Sequence, residues 1–157
     1  MKDILYVKGD ATSPIGEGRK ILIHCCNDEN KWGKGFVMAL SRKWKEPELQ
    51  YRKWGNKGKK GNFKLGSVQF VKVEDDIIVG NMIGQHGIRK QGNVAPIRYG
   101  AIQKCLEKVK EAALRNNASI ACPRFGSGLA GGSWGRIEEL IESILSKNDI
   151  QVTVYSL

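Results

Sequence analysis

The run Lys20-Ile21-Leu22-Ile23-His24-Cys25-Cys26 limits the fold more than any other stretch of the chain. Its apolar residues do not alternate with polar ones, so a strand here needs cover on both faces. Such a strand lies inside a sheet, with helices above and below. The flanking segments can supply them. Phe36, Val37, Ala39, Leu40 and Trp44 recur at helical spacing, as do Ile97, Ala101, Cys105, Val109 and Ala113, and Ile137, Leu140, Ile141, Ile144 and Leu145. Pro47 is suited to open a short helix through Trp54, and Ser133 is placed to cap the last one.

Shorter apolar runs predict further strands at Ile4 to Val7, Leu65 to Val73, Asp76 to Ile83, Ser119 to Cys122 and Ile150 to Tyr155. The acidic turn Glu74-Asp75-Asp76 joins two of them into a hairpin. Gly55 to Asn62, with five glycines or asparagines among its lysines, predicts an exposed, mobile loop. Alternating strands and helices imply an α/β fold, with a mainly parallel or mixed sheet between two helical layers. The 157 residues fit one domain, 1–157, with no repeat or linker.

In such folds ligands bind outside the carboxyl ends of the strands. Asp10, the segment His24 to Gly35, the loop Gly84 to Gly92 and the loop Gly126 to Gly132 are all expected there. Gly126-Ser127-Gly128-Leu129-Ala130-Gly131 follows a strand, precedes a helix and matches the pattern G-x-G-x-x-G. A Rossmann unit carries that pattern in its first turn and an acidic residue after the next strand, whereas here the chain ends in Tyr155-Ser156-Leu157. The glycines serve either a tight turn or a phosphate, and Ser127 ahead of a helix N-terminus favours the phosphate.

His24 is either a satisfied core histidine or a general acid or base. Asp28 and Glu29 are alternative bases or plain loop charges. Cys25, Cys26, Cys105 and Cys122 lack metal-ligand spacing, and no nucleophile elbow or P-loop lysine motif is present. No metal or cofactor is expected, and hydrolysis would use water or substrate groups. The net charge of +10 favours an anionic partner. Nine of the lysines and arginines lie between Arg42 and Lys64, interleaved with Trp44, Tyr51, Trp54 and Phe63. These aromatics either stack on single-stranded nucleic acid or pack inside. With no long apolar stretch, the chain is expected to be a cytoplasmic monomer without a membrane partner.

Together, Tyr6-Val7-Lys8-Gly9-Asp10, Ile21 to Asn27, Trp32-Gly33-Lys34-Gly35, Pro123 to Gly132 and Thr153-Val154-Tyr155 resemble the macro domain family over nearly the whole chain. The resemblance is to small single-domain members related to terminal ADP-ribose protein glycohydrolase and to fungal ADP-ribose-1″-phosphate phosphatases. It implies a three-layer α/β/α macro domain fold with a mixed central sheet and ADP-ribose, or a derivative, in a cleft at the strand ends. By that likeness Gly9, Asp10 and Ala11 would meet adenine, with the Asp10 carboxylate accepting from its amino group. Gly33, Lys34, Gly35 and Phe36, with Phe125, Gly126, Ser127, Gly128, Leu129, Ala130 and Gly131, would line the diphosphate. Asn27 and the Gly84 to Gly87 loop, Gln85 included, would lie near the distal ribose.

The glycohydrolases have a lysine and an aspartate where this chain resembles them but carries Gln85 and Ala130. Glutamine forms no Schiff base and alanine moves no proton. The phosphatase likeness instead implies His24 and Asn27 as catalytic residues, with His24 orienting or activating water. Removal of ADP-ribosyl or acetyl groups, a non-catalytic reader of ADP-ribose with ADP-ribosylated protein or nucleic acid as its partner, and a basic nucleic-acid-binding module remain the alternatives.

Overall fold

The computed structural model describes residues 1–157. Strands β1 (Leu5–Lys8), β2 (Lys20–Asn27), β3 (Val68–Glu74), β4 (Ile77–Gln85), β5 (Ser119–Cys122) and β6 (Val152–Ser156) form one sheet in the order β1-β6-β5-β2-β4-β3. Only β3 runs antiparallel, paired with β4 as the hairpin predicted from the acidic turn. The other ladders are parallel. Helices α1 (Phe36–Lys43) and α2 (Glu46–Lys57) cover one face, and α3 (Tyr99–Asn116) and α4 (Trp134–Ile144) the other.

The period of two along each strand sorts side chains between two cores. Ile21 and Ile23 of β2, Ile120 and Cys122 of β5, and Val152 and Val154 of β6 join Ile102, Leu106, Ile137 and Ile141 under α3 and α4. Leu22, Cys26, Ala121 and Tyr155 point the other way, toward Val37, Leu40 and Tyr51. Because both faces are covered, β2 carries no alternation in its sequence. Buried Lys20, at the start of β2, donates from Nζ to the Gly16 and Gly18 carbonyls at 2.8 and 3.1 Å, tying down the loop that precedes it.

Several local expectations change. Gly55 to Asn62 is not a free loop: α2 runs on to Lys57 and a 3-10 turn follows at Gly58–Gly61. Trp54 Nε1–H donates to the Gly61 carbonyl at 2.7 Å, and the Phe63 ring meets Trp54 and Tyr51 edge-on. Aromatic packing overrides the polar composition there. The same burial removes the stacking surface considered for nucleic acid, since Trp44, Tyr51 and Phe63 lie in the core. Ser133 precedes α4, but its side chain makes no capping bond; its N–H donates instead to the Tyr99 hydroxyl at 2.8 Å. Gly84 and Gln85 still belong to β4, and Ile97 bridges to Gln85 before α3 begins.

Tyr51 ties the second helical layer to the end of β2, donating from its hydroxyl to the Asn27 backbone carbonyl at 2.7 Å, with Asn27 Oδ1 at 3.0 Å. Tyr51→Phe removes the hydroxyl donor from the buried Asn27 carbonyl and is expected to cost about 1–3 kcal/mol, read as a lower urea denaturation midpoint at unchanged slope.

Candidate functional site

Lys8, Asn27, Gln85, Cys122 and Ser156 end the parallel strands on one edge of the sheet. A cleft runs along that edge in three adjoining compartments. The proximal one, about 580 Å3, is bounded by Gly9, Asp10, Ala11, Arg42 and Tyr155 to Leu157. Gly35, Phe36, Pro123 and Arg124 are shared with the middle one, about 280 Å3. The distal one, about 410 Å3, is reached past Cys25, Lys34, Val37, Gln85 and Leu129, and adds Asn27, Lys31, Trp32, Gly33, Ile88 and Arg89.

Two glycine turns make the middle compartment a donor surface. Gly126 has φ 75°, and a side chain there would collide with Ile97 and Ile137. From Gly126 to Ala130 the backbone N–H groups have no acceptor within the chain, whereas those of Gly131 and Gly132 close turns onto Gly128 and Gly126 at 3.0 and 2.8 Å. Across the cleft, Gly35 enters α1 with φ 82°, and the N–H groups of residues 33–37 are likewise without intrachain partners. Converging unpaired amides and a helix N-terminus favour a bound anion.

At the proximal end, Asp10 Oδ1 accepts from the Thr12 hydroxyl and N–H at 2.7 and 2.8 Å. The hydroxyl bond does most to hold the Asp10 carboxyl below its usual range, helped by the backbone bond and by Lys43 and Arg42. The second carboxylate oxygen accepts nothing from the chain and is left for a ligand donor. Ala11 is buried beside it.

The two expected catalytic side chains have internal partners. His24 is 2% exposed and its Nε2 lies 2.5 Å from Asn81 Oδ1. Asn81 Nδ2 donates to the Pro47 carbonyl and Gln69 Oε1, so its Oδ1 accepts and Nε2 of His24 carries the proton. Burial lowers the His24 pKa to about 4, against the opposing Asn81 bond. The imidazole, flanked by Trp32 and Phe36, borders the middle compartment as a neutral core group. Its proton is committed to Asn81, Nδ1 is left as the unprotonated nitrogen with only Cys26 Sγ near it at 3.9 Å, and the lowered pKa makes it a weak base. Asn27 is spent on its own loop: Nδ2 donates to the Lys31 carbonyl at 2.6 Å, while Oδ1 accepts from the Glu29 and Lys31 N–H groups. Its amide shapes the distal wall, with one Nδ2–H left without a partner in the chain.

Other expected residues divide similarly. Phe125, Gly126, Gly128, Leu129 and Ala130 line the middle compartment, and Gln85 lies between the middle and distal ones. Ser127 and Gly131 line none of the three; the Ser127 hydroxyl donates to the Arg124 carbonyl at 2.7 Å. Cys25 borders two compartments, but burial pushes its thiol up to about 12, so it is no nucleophile at neutral pH. Sequence reasoning missed Arg42, Arg124 and Arg89, whose positions depend on which way a helix, a turn and a loop face. It named the loop that carries His86 without singling out that residue, whose Nδ1 lies 2.6 Å from Asp28 Oδ2. That pair lines a separate cavity of about 620 Å3 beside Lys59, Phe63 and Lys64, which shares no wall residue with the cleft. The unpaired amides of the two glycine turns line the cleft and not that cavity.

A macrodomain protein from Streptomyces coelicolor is similar in structure with TM-score 0.89, at 48% identity over 99% of both chains. The chain belongs to the macrodomain family. No family model matches the sequence. Human ADP-ribose glycohydrolase OARD1 is 29% identical over 98% of this macrodomain and 91% of its own length. An ADP-ribose 1″-phosphate phosphatase from Lodderomyces elongisporus is 20% identical, over 90% and 92%. Against mouse chromodomain-helicase-DNA-binding protein 1-like, 31% identical, the macrodomain spans only 17% of the relative's length.

A neutral His24 has a consequence for stability. As pH falls below 6.5 the unfolded chain takes up this proton first, while the folded imidazole waits until about 4. The contribution is full above pH 6.5 and declines toward pH 4, by up to ~3 kcal/mol. Urea denaturation across that window should show the decline, and His24→Gln should flatten it.

Proposed function

We propose that this macrodomain binds ADP-ribose along the strand-end cleft and hydrolyses a group from the distal ribose, the 1″-phosphate being the group removed. One observation carries the reading: the polarity of the cleft changes from end to end in the order that ligand requires. A carboxylate at Asp10 suits the adenine amino group, and unpaired amides from both glycine turns suit the diphosphate. Lys31, Lys34 and Arg89 around the distal compartment suit a further phosphate on the ribose. The names of the human and fungal relatives support a hydrolase of ADP-ribose derivatives.

Gln85 donates its amide to the Gly87 carbonyl at 3.0 Å, and Ala130 is buried. Neither supplies the amine or carboxylate of a lysine-dependent glycohydrolase. In the phosphatase reading a water oxygen attacks phosphorus and the bond from phosphorus to the ribose oxygen breaks. One of the water's protons stays on inorganic phosphate, the other passes to solvent, and the leaving oxygen is protonated from solvent. Lys34 and Arg89 act by stabilising the charge that develops on the phosphoryl oxygens.

A second reading, a reader without turnover, is favoured by the internal commitment of His24 and Asn27. Calorimetry separates binding from chemistry. Asp10→Ala should raise the Kd for ADP-ribose by roughly 10-fold or more. Lys34→Ala with Arg89→Ala should lower phosphate release from ADP-ribose-1″-phosphate by about 10-fold or more. Tight ADP-ribose binding with no phosphate released by the unmutated protein would leave the reader.

A further inference from the structure

Arg124 follows Pro123 after β5 and lines both the proximal and the middle compartment. Its backbone is fixed by two short bonds. The Ser127 hydroxyl donates to its carbonyl, and the Phe125 N–H reaches back to the Pro123 carbonyl at 2.8 Å. Its side chain is fixed from another part of the fold. The guanidinium carbon lies 5.1 Å from the centroid of the Tyr6 ring and 5.7 Å from that of Trp134. The two rings are themselves joined, Trp134 Nε1–H donating to the Tyr6 hydroxyl at 3.0 Å. That hydroxyl in turn donates to Glu138 on α4.

This shelf orients the cation without neutralising it. Tyr6 occupies the Glu138 carboxylate, and no carboxylate forms an ion pair with Arg124. One weak bond leaves its side chain, from Nε to Ser156 Oγ at 3.4 Å, so both Nη groups lack partners in the chain. A flat guanidinium held on aromatic faces has already lost much of its rotational freedom, and its unpaired N–H groups match phosphate oxygens.

We propose that Arg124 binds the diphosphate of the ligand, with its Nη groups on the phosphate nearer the adenosine, and that Tyr6 and Trp134 are positioning residues for it. The proposal rests on the ADP-ribose reading of the cleft. It divides the diphosphate between two kinds of donor: backbone amides of the glycine turns for one phosphate, and a side-chain cation for the other. Binding then depends on phosphate number as well as on the adenosine.

The test measures Kd for adenosine and for ADP-ribose, by NMR titration and calorimetry, on the unmutated protein, Arg124→Ala and Arg124→Lys. Arg124→Ala should weaken ADP-ribose roughly 10- to 100-fold and leave adenosine within about twofold. Arg124→Lys keeps the charge but not the fork, and should fall between. Trp134→Phe removes the indole bond to Tyr6 and should weaken ADP-ribose while sparing adenosine. ADP-ribose affinity unchanged in Arg124→Ala, or adenosine weakened as much as ADP-ribose, overturns the proposal. If the unmutated protein binds adenosine but gains nothing from the diphosphate, Arg124 fails while the adenosine end of the cleft stands. If it binds neither, the ADP-ribose reading fails and takes the proposal with it.

Discussion

Burial of β2 on both faces is the constraint on which the rest of the molecule depends. Its backbone pairs with β4 on one side and β5 on the other, so each strand-end turn in the middle of the cleft takes its position from this one strand. Burying Ile21, Leu22 and Ile23 removes apolar surface from water on both sides, at ~1.5–3 kcal/mol per side chain. Parallel pairing of β1, β2, β4, β5 and β6 then brings their carboxyl ends to one edge. There the chain must turn into helices, and at the two glycine turns it does so with amides unpaired.

The same burial explains why His24 is neutral and bonded to Asn81. A histidine in the middle of a two-faced strand has no water to solvate it, so its one N–H needs an internal acceptor. Asn81 of β4 stands opposite it in the ladder and supplies that acceptor. Asn81 is held by Pro47 and Gln69, and Gln69 by the Gln50 carbonyl of α2 at 3.0 Å. This polar chain links β2, β4, β3 and α2. It registers the α1–α2 layer on the sheet, and so sets where Gly35 and Phe36 face the glycine turn of Gly126.

The fold was legible wherever burial and periodicity coincide. The central strand, the hairpin and the long α3 follow directly from their apolar spacing. Legibility failed where contacts distant in sequence decide. Lysines and glycines from Gly55 to Asn62 looked unable to pack, yet Trp54 and Phe63 draw that segment onto the core. Ser133 had the composition of a cap, but Tyr99 took its N–H and its hydroxyl caps nothing. For the site, the glycine turns and Asp10 were visible because backbone conformation and a lone carboxylate after a strand leave a mark in sequence. Arg42, Arg89 and Arg124 left none among 26 lysines and arginines.

By itself the sequence determined that this chain must build a covered, largely parallel sheet with glycine turns at its carboxyl edge. Apolar spacing and the conformational demands of glycine act locally and survive in any reading of the residues. Only the tertiary structure decided which polar side chains remain free there. His24 and Asn27 looked wholly available and are each partly committed to internal partners, while Arg124 looked like one charge among many and stands oriented on Tyr6 and Trp134. Availability depends on whether some other element, far away in the chain, has already supplied a partner.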